Sequence, residues 1–133
     1  YKWRNDPLTL NMSVNSSIIS LIDHKKWFKN SLTNPNRKLY IGIIQKKKIG
    51  VTRFEFDEYK DVANVSINLN PSMRGKKNSS ALLSGSIAIY LKKKKITLTA
   101  TVKNENLASL KIFKQCGFLK NSEDHNFKYL ICS

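Results

Sequence analysis

Cysteine, histidine and acidic residues are scarce in this 133-residue chain, and each shortage removes a class of protein. Two cysteines, Cys116 and Cys132, cannot build a disulfide framework, so a reducing, cytoplasmic setting is expected. With two histidines and no paired-cysteine spacing, no structural zinc site and no other metal is expected. No apolar run nears the ~20 residues that span a bilayer, and no signal peptide opens the chain, so no membrane role is expected. Five glycines form neither a Walker A nor a Rossmann pattern. Acidic residues number 9 against 24 Lys+Arg, a formal net charge of +15.

What remains is a chain with 41% hydrophobic residues and 25% charged ones, the balance of a folded globular domain. Without an internal repeat or long linker, residues 1–133 read as one domain. Tyr1 is not an initiator Met, which suggests a piece of something longer. The positive charge invites a nucleic-acid reading, since Lys and Arg neutralise phosphates. Yet the lysines run as Lys46–Lys48 and Lys92–Lys95 among many asparagines, with no nucleic-acid motif beside them. A solvated basic face is therefore favoured over nucleic-acid binding, and anionic small molecules remain natural partners.

Periodicity sets the order of elements. Asp6 is placed to cap a short helix and Pro7 to fill its first turn. Over Ser16–Leu32, the residues Ile18, Leu21, Ile22, Phe28 and Leu32 share one arc at 100° per residue, which predicts a helix with that core stripe. Trp27 lies off the arc, with His24 on the neighbouring face. Lys38–Gln45 and Lys48–Phe56 predict a hairpin, and Val62–Asn70 predicts a strand ending at Pro71. A helix is expected over Ser79–Leu91 and a strand over Ile96–Val102. Asn104 is placed to cap a helix reaching Cys116, and Gly117 to stop it. Phe118 and Phe127–Cys132 close the chain as strands. This order implies an α/β fold with a mixed sheet and helices on its faces.

Two segments carry candidate chemistry. In Asn70–Ser80 a strand ends, a basic loop turns on Gly75, and a helix opens on Asn78 or Ser79. Free N–H groups and the helix dipole make such a corner an anion site, and Arg74, Lys76 and Lys77 add charge. A pyrophosphate suits it. In the second segment, Asn106, Ser109 and Phe113 share a helix face and either line a ligand channel or serve as a cap and a packed ring.

Together and in this order, the two segments resemble the GNAT superfamily of acetyl-CoA-dependent N-acetyltransferases. The loop is similar to that superfamily's Arg/Gln-x-x-Gly-x-Gly/Ala pyrophosphate motif, with Arg74 first. The later segment is similar to its Asn-x-x-Ser-x-x-x-Tyr-x-x-x-Gly-Phe signature through Asn106, Ser109, Gly117 and Phe118. The resemblance implies a GNAT-like, mostly antiparallel sheet, lacking the superfamily's first strand. It implies acetyl-CoA as co-substrate, held by Asn68, Leu69 and Asn70, by Arg74–Ser80 (Gly75, Lys76, Lys77, Asn78, Ser79 and Ser80 included), and by Asn106, Ser109 and Phe113. A main-chain N–H near Leu69 or Asn70 would stabilise the oxyanion.

Trp3-Arg4-Asn5-Asp6-Pro7, with His24-x-x-Trp27-Phe28, is similar to PseH-type enzymes, which acetylate amino groups of nucleotide-linked sugars. That narrower resemblance implies acceptor contacts at Arg4, Asn5, His24, Trp27 and Phe28. The alternatives are an N-terminal protein acetyltransferase of ribosomal-protein type and a non-catalytic RNA-binding module. Candidate general bases are His24 and Glu55, with Glu58 nearby. Three positions depart from the superfamily pattern: Lys77 replaces a glycine, Ser79 stands at the Gly/Ala position, and Phe113 replaces a tyrosine that protonates the departing thiolate. A phenyl ring donates no proton, which leaves water for that task.

Overall fold

The computed structural model describes residues 1–133. Helices α1 (Pro7–Met12) and α2 (Leu21–Thr33) precede strands β1 (Arg37–Ile44), β2 (Lys47–Asp57) and β3 (Val62–Leu69). Helix α3 (Asn78–Lys93), β4 (Thr97–Lys103), α4 (Leu107–Gln115), β5 (Leu119–Glu123) and β6 (Phe127–Cys132) complete the chain. The strands form one sheet ordered β1-β2-β3-β4-β6-β5. Every neighbouring pair is antiparallel except β3 and β4.

Strand alternation sorts the sheet into two unlike faces. One face carries Phe54, Ala63, Val65, Leu98, Ala100 and Val102, which pack with Leu83 and Tyr90 of α3 and Phe113 of α4. Phe54 stacks on Tyr90 at 4.3 Å, and Phe113 meets Phe118 edge-on at 5.0 Å. The buried Thr52 hydroxyl donates to Ser86 Oγ (2.7 Å), and Ser86 in turn donates to the Leu82 carbonyl. The helix is thereby tied to the sheet without an unpaired polar group. Gly42 and Gly50 stand opposite each other under α3. A Cβ at Gly42 would lie 2.6 Å from Leu82 Cδ1, and one at Gly50 would lie 2.8 Å from the Asn68 carbonyl. The two glycines let α3 approach closely at the end that leads into the Asn70–Asn78 loop.

The other face carries Arg37, Arg53, Glu55, Ser66 and Asn68, and α2 lies against it. That polarity overturns the core stripe expected for α2. Ile18, Ile22 and Leu32 are 77%, 80% and 69% exposed, and Leu21 and Phe28 are also open to solvent. Instead Ser31 is buried and donates to the Trp27 carbonyl, while His24 and Trp27 turn inward. A guanidinium-lined surface is better matched by an indole, an imidazole and a hydroxyl than by aliphatic side chains. The helix also begins five residues later than its periodicity suggests, because Ser20 caps it by accepting from the Asp23 N–H.

Two further boundaries differ from expectation. Helix α4 is capped by Asn106, which accepts from the Ser109 N–H. Asn104 braces the β5–β6 turn instead, donating to the Asp124 carbonyl. In the β1–β2 hairpin, Gln45 and Lys46 both adopt positive φ (48° and 67°), the twist-matched geometry of a two-residue turn.

Candidate active site

Strand β3 pairs with β2 along its whole length but with β4 only over Val62–Asn64. Beyond Asn64 the two parallel strands separate and leave a wedge whose β3 bank has free main-chain groups. The Asn70 N–H donates to the Ile49 carbonyl on the β2 side (2.9 Å). By strand alternation, the main-chain groups of Val65, Ile67 and Leu69 therefore turn toward the wedge. This divides the expected pair of oxyanion donors: the Leu69 N–H is available and the Asn70 N–H is spent. The Asn70 side chain is also committed, donating to the Lys48 carbonyl and accepting from Ser72. Asn68 behaves differently. Its Oδ1 is buried without a hydrogen-bond partner, an acceptor that a ligand N–H would satisfy.

The wedge opens toward the loop that precedes α3. Gly75 and Lys77 both take left-handed backbone conformations (φ 73° and 58°). The pair turns the chain sharply enough for α3 to start at Asn78, with Lys77 in the capping position. The helix thus opens on Asn78, one of the two positions expected from sequence. No side chain bonds the first turn of α3, so the N–H groups of Asn78, Ser79 and Ser80 remain free for an anion. Lys77 is exposed and holds this conformation as a non-glycine residue, at the steric cost of its Cβ against its own backbone. Lys76 reaches back toward the Met73 sulfur (4.0 Å).

Arg74 points elsewhere. Its Nη2 donates to the Asp6 carboxylate and to Thr9 Oγ1 (2.8 Å), and Asp6 also caps α1 by accepting from the Thr9 N–H (3.1 Å). The hydrogen bond from Arg74, more than any other contact, holds the Asp6 carboxyl below its ordinary range. Arg74 thus fastens α1 to the loop. On the opposite bank, Lys103 of β4 donates to the Asn11 carbonyl (2.7 Å) and to Ser16 Oγ (3.0 Å). Helix α1 is tied at both sides of the wedge.

The second signature segment is divided by burial. Asn106 and Ser109 are partly open at the start of α4, whereas Phe113 is 3% exposed inside the core. The ring lines no channel, which corrects its expected place beside the cofactor. Cys116 lies where α4 meets α3, its thiol donating to the Ser80 carbonyl (3.8 Å). Burial pushes that thiol's pKa up, the wrong direction for a nucleophile.

On the polar face, Asn5 holds the α1–α2 connection with both ends of its amide, donating to the Ile19 carbonyl and accepting from the Ile19 N–H. It shapes the loop with one N–H and one lone pair of its amide. Arg4 Nη2 donates to the Asn15 carbonyl (2.6 Å), while its Nη1 is buried and unpartnered. His24 lies between Tyr1 and Trp27, with ring centroids 5.6 and 5.7 Å away. Burial foremost, and the charge of Arg4 besides, lower its pKa, so the imidazole is neutral at neutral pH. Phe28 stays on the open side of α2.

Two residues that sequence reasoning missed complete this face. The Arg37 and Arg53 guanidiniums lie 5.4 and 5.6 Å from the Trp27 ring centroid. Both reach the same oxygen of Glu55, at 3.0 and 3.3 Å. Glu55, a candidate base, is thus bridged by two cations. Glu58 accepts from Asn36 (2.8 Å) and is likewise engaged. A compositional signal was present: the chain holds 20 lysines and only four arginines. Three of those arginines stand here, and the fourth is in the loop before α3.

With this geometry in place, comparison with known proteins is direct. The family model described as Acetyltransferase (GNAT) domain matches residues 1–119. Among solved structures, a Vibrio cholerae spermidine N-acetyltransferase in complex with CoA and spermine superposes with a TM-score of 0.86 at 15% identity, covering 98% of this chain and 85% of that one. The Campylobacter jejuni N-acetyltransferase PseH in complex with acetyl coenzyme A gives 0.74 at 22% identity, covering 84% and 78%. A putative phosphinothricin N-acetyltransferase gives 0.81 at 23% identity, covering 98% and 88%. No curated protein sequence matches the chain. The splayed β3–β4 pair, the uncapped helix after it and the family match have one meaning: the chain belongs to the GNAT acetyltransferase family and is an acetyl-CoA-dependent N-acetyltransferase.

Proposed function

We propose that the chain transfers the acetyl group directly to the primary amine of a small molecule, and that this acceptor is a nucleotide-linked amino sugar. The observation carrying the reading is the continuity of the wedge with the free first turn of α3. A diphosphate seated on the Asn78, Ser79 and Ser80 amides would place its extended arm along the open edge of β3. There the main chain of Ile67 and Leu69 offers donors and acceptors at strand spacing. The unpartnered Asn68 Oδ1 lies on the adjoining polar face, and Asn106 and Ser109, partly open at the start of α4, are the further polar groups the reading assigns to the donor.

Acetyl-CoA supplies an activated thioester. The amine nitrogen attacks its carbonyl carbon, a C–N bond forms, and the C–S bond breaks. The Leu69 N–H is the main-chain donor for the oxyanion. The amine's proton passes to His24, directly or through water, because a neutral imidazole accepts it at neutral pH. A thiolate whose conjugate acid has a pKa near 8.5 leaves without a dedicated acid, consistent with a phenylalanine at position 113. The raised thiol of Cys116 supports direct transfer over an acetyl-cysteine intermediate.

Calorimetry with acetyl-CoA followed by a thiol-release assay tests this reading. Acetyl-CoA is expected to bind, and thiol release is expected with an amino-sugar nucleotide but not with short peptides bearing free N-termini. Release with peptides alone would assign the acceptor to a protein terminus. Absence of acetyl-CoA binding would remove the donor site itself.

A further inference from the structure

We infer that Arg53 and Arg37, seated against Trp27 and joined by Arg4, form an anion subsite that selects an acceptor carrying phosphate or carboxylate and rejects polyamines. The inference rests on the acetyltransferase reading above and specifies its acceptor side. The charges on this face do not balance. Three guanidiniums meet a single carboxylate, Glu55, and two of them share one of its oxygens. Arg53 feels the shortage: burial and the neighbouring Arg37 lower its pKa, and only Glu55 opposes them. Arg4 experiences the same repulsion from Arg53 after its own burial, and its Nη1 has no acceptor. A guanidinium never sheds its proton in a protein, so the surplus charge needs an anion.

The nearby acidic residues do not reverse this balance. Glu55, Asp57 and Glu58 line a hollow of about 470 Å³ beside Asn64. Each is already engaged. Asp57 accepts from the Tyr59 and Lys60 N–H groups, Glu58 accepts from Asn36, and Glu55 is ion-paired with the two arginines. Asp57 and Glu58 keep their charge but line this hollow and not the Trp27–Arg37–Arg53 cluster, where a polyamine would face fixed cations. An anion meets the opposite situation.

Trp27 and Glu55 act as positioning residues. Their contacts hold two long side chains in place before a ligand arrives, which reduces the ordering cost of binding. Arg53 stands directly across from Ser66 of β3, so the subsite adjoins the strand that borders the wedge. An acceptor anchored by its anion at Arg53 could therefore extend its amine toward that strand.

The test is titration calorimetry on the protein saturated with CoA, which occupies the loop before α3, using uridine 5′-diphosphate, glutamate and spermidine as separate probes. Binding of either anion is expected, with diphosphate binding marking a phosphate acceptor and glutamate binding a carboxylate acceptor. Arg53→Gln is expected to weaken it at least tenfold, as loss of a charge-assisted fork predicts. Arg53→Lys keeps the charge without the fork and is expected to fall between. Spermidine binding to the CoA-loaded protein, or failure of both anions to bind it, would overturn the inference, and neither outcome depends on a variant folding. If CoA itself does not bind, the donor reading fails separately. The subsite is then judged by whether Arg53→Gln weakens anion binding to the free protein.

Discussion

The proposed donor corner and the proposed acceptor face are built from different materials. The proposed donor corner spans one short stretch, from Leu69 to Ser80, and would work through main-chain N–H groups presented by two left-handed residues and an uncapped helix. The acceptor face draws side chains from the segment before α1, from α2, from β1 and from β2, brought together by strand pairing and helix docking. Main-chain recognition depends on local conformation, which a few neighbouring residues impose. Side-chain recognition depends on topology, since Arg4 and Arg53 meet only in the folded chain. The first kind of site is therefore robust to exchange of many individual side chains, whereas the second changes whenever one of its charges does.

The sharpest way to break that contrast is to remove one side chain from the acceptor face and one main-chain N–H from the donor corner. His24→Ala is expected to lower kcat about 100-fold or more, the usual contribution of a positioned general base. Acetyl-CoA affinity should change little. In the unaltered enzyme, the acid limb of kcat/KM should fall at a pH below the ordinary imidazole value of about 6.5, because His24 holds its proton less tightly than a free histidine. Protonation then removes the base as pH drops through that lowered value, and His24→Ala should abolish the limb. The same lowered pKa makes folding less favourable as pH falls below about 6.5, where the unfolded chain takes up the proton first. A pH-rate profile beside thermal melts separates the two effects. Retention of the limb in His24→Ala would transfer the base role to another group.

On the donor side, Ser79→Pro removes one N–H from the first turn of α3 while leaving a residue that helices accept in their first turn. Acetyl-CoA affinity is expected to fall about tenfold or more, the value of one charge-assisted hydrogen bond. Turnover at saturation should persist. If affinity is unchanged, the amides of α3 are not the diphosphate's partners, and the contrast between main-chain and side-chain sites loses its donor half.

The same contrast explains what could be foreseen from residues alone. The element order, the β1–β2 hairpin and the α3 corner were legible, because turn residues, alternation and a capped α1 are short-range signals. The α2 stripe misled, because periodicity reports which residues share a face and not what lies beneath it. Here the sheet offers Arg37, Arg53 and Glu55, so Trp27 and Ser31 turn inward and Ile22 outward. Arg74 misled differently. Its motif position suggested a phosphate ligand, whereas its partners Asp6 and Thr9 lie 68 and 65 residues away in sequence. Glu55 could be weighed as a base only until Arg37 and Arg53 were seen to share its oxygen.

The smallest expected effect is also the one that most directly sharpens the donor side. Lys77 is a non-glycine residue at φ 58° and ψ 22°, a left-handed conformation that costs an ordinary residue roughly 1–2 kcal/mol. Lys77→Gly relieves that cost, although glycine's freedom in the unfolded chain takes back roughly 0.5–1 kcal/mol. A net gain of about 0.5 kcal/mol is expected, visible as a rise of a few degrees in Tm. The exposed ammonium group stands at the entrance to the anion corner, so its removal should weaken acetyl-CoA binding by about threefold, in the range of a screened surface charge. Raising the ionic strength should shrink the difference between variant and parent, since a solvent-exposed charge is screened and a main-chain amide is not. Tighter acetyl-CoA binding in Lys77→Gly would mean that the lysine crowds the phosphates, and that glycine at this position serves clearance as well as backbone conformation.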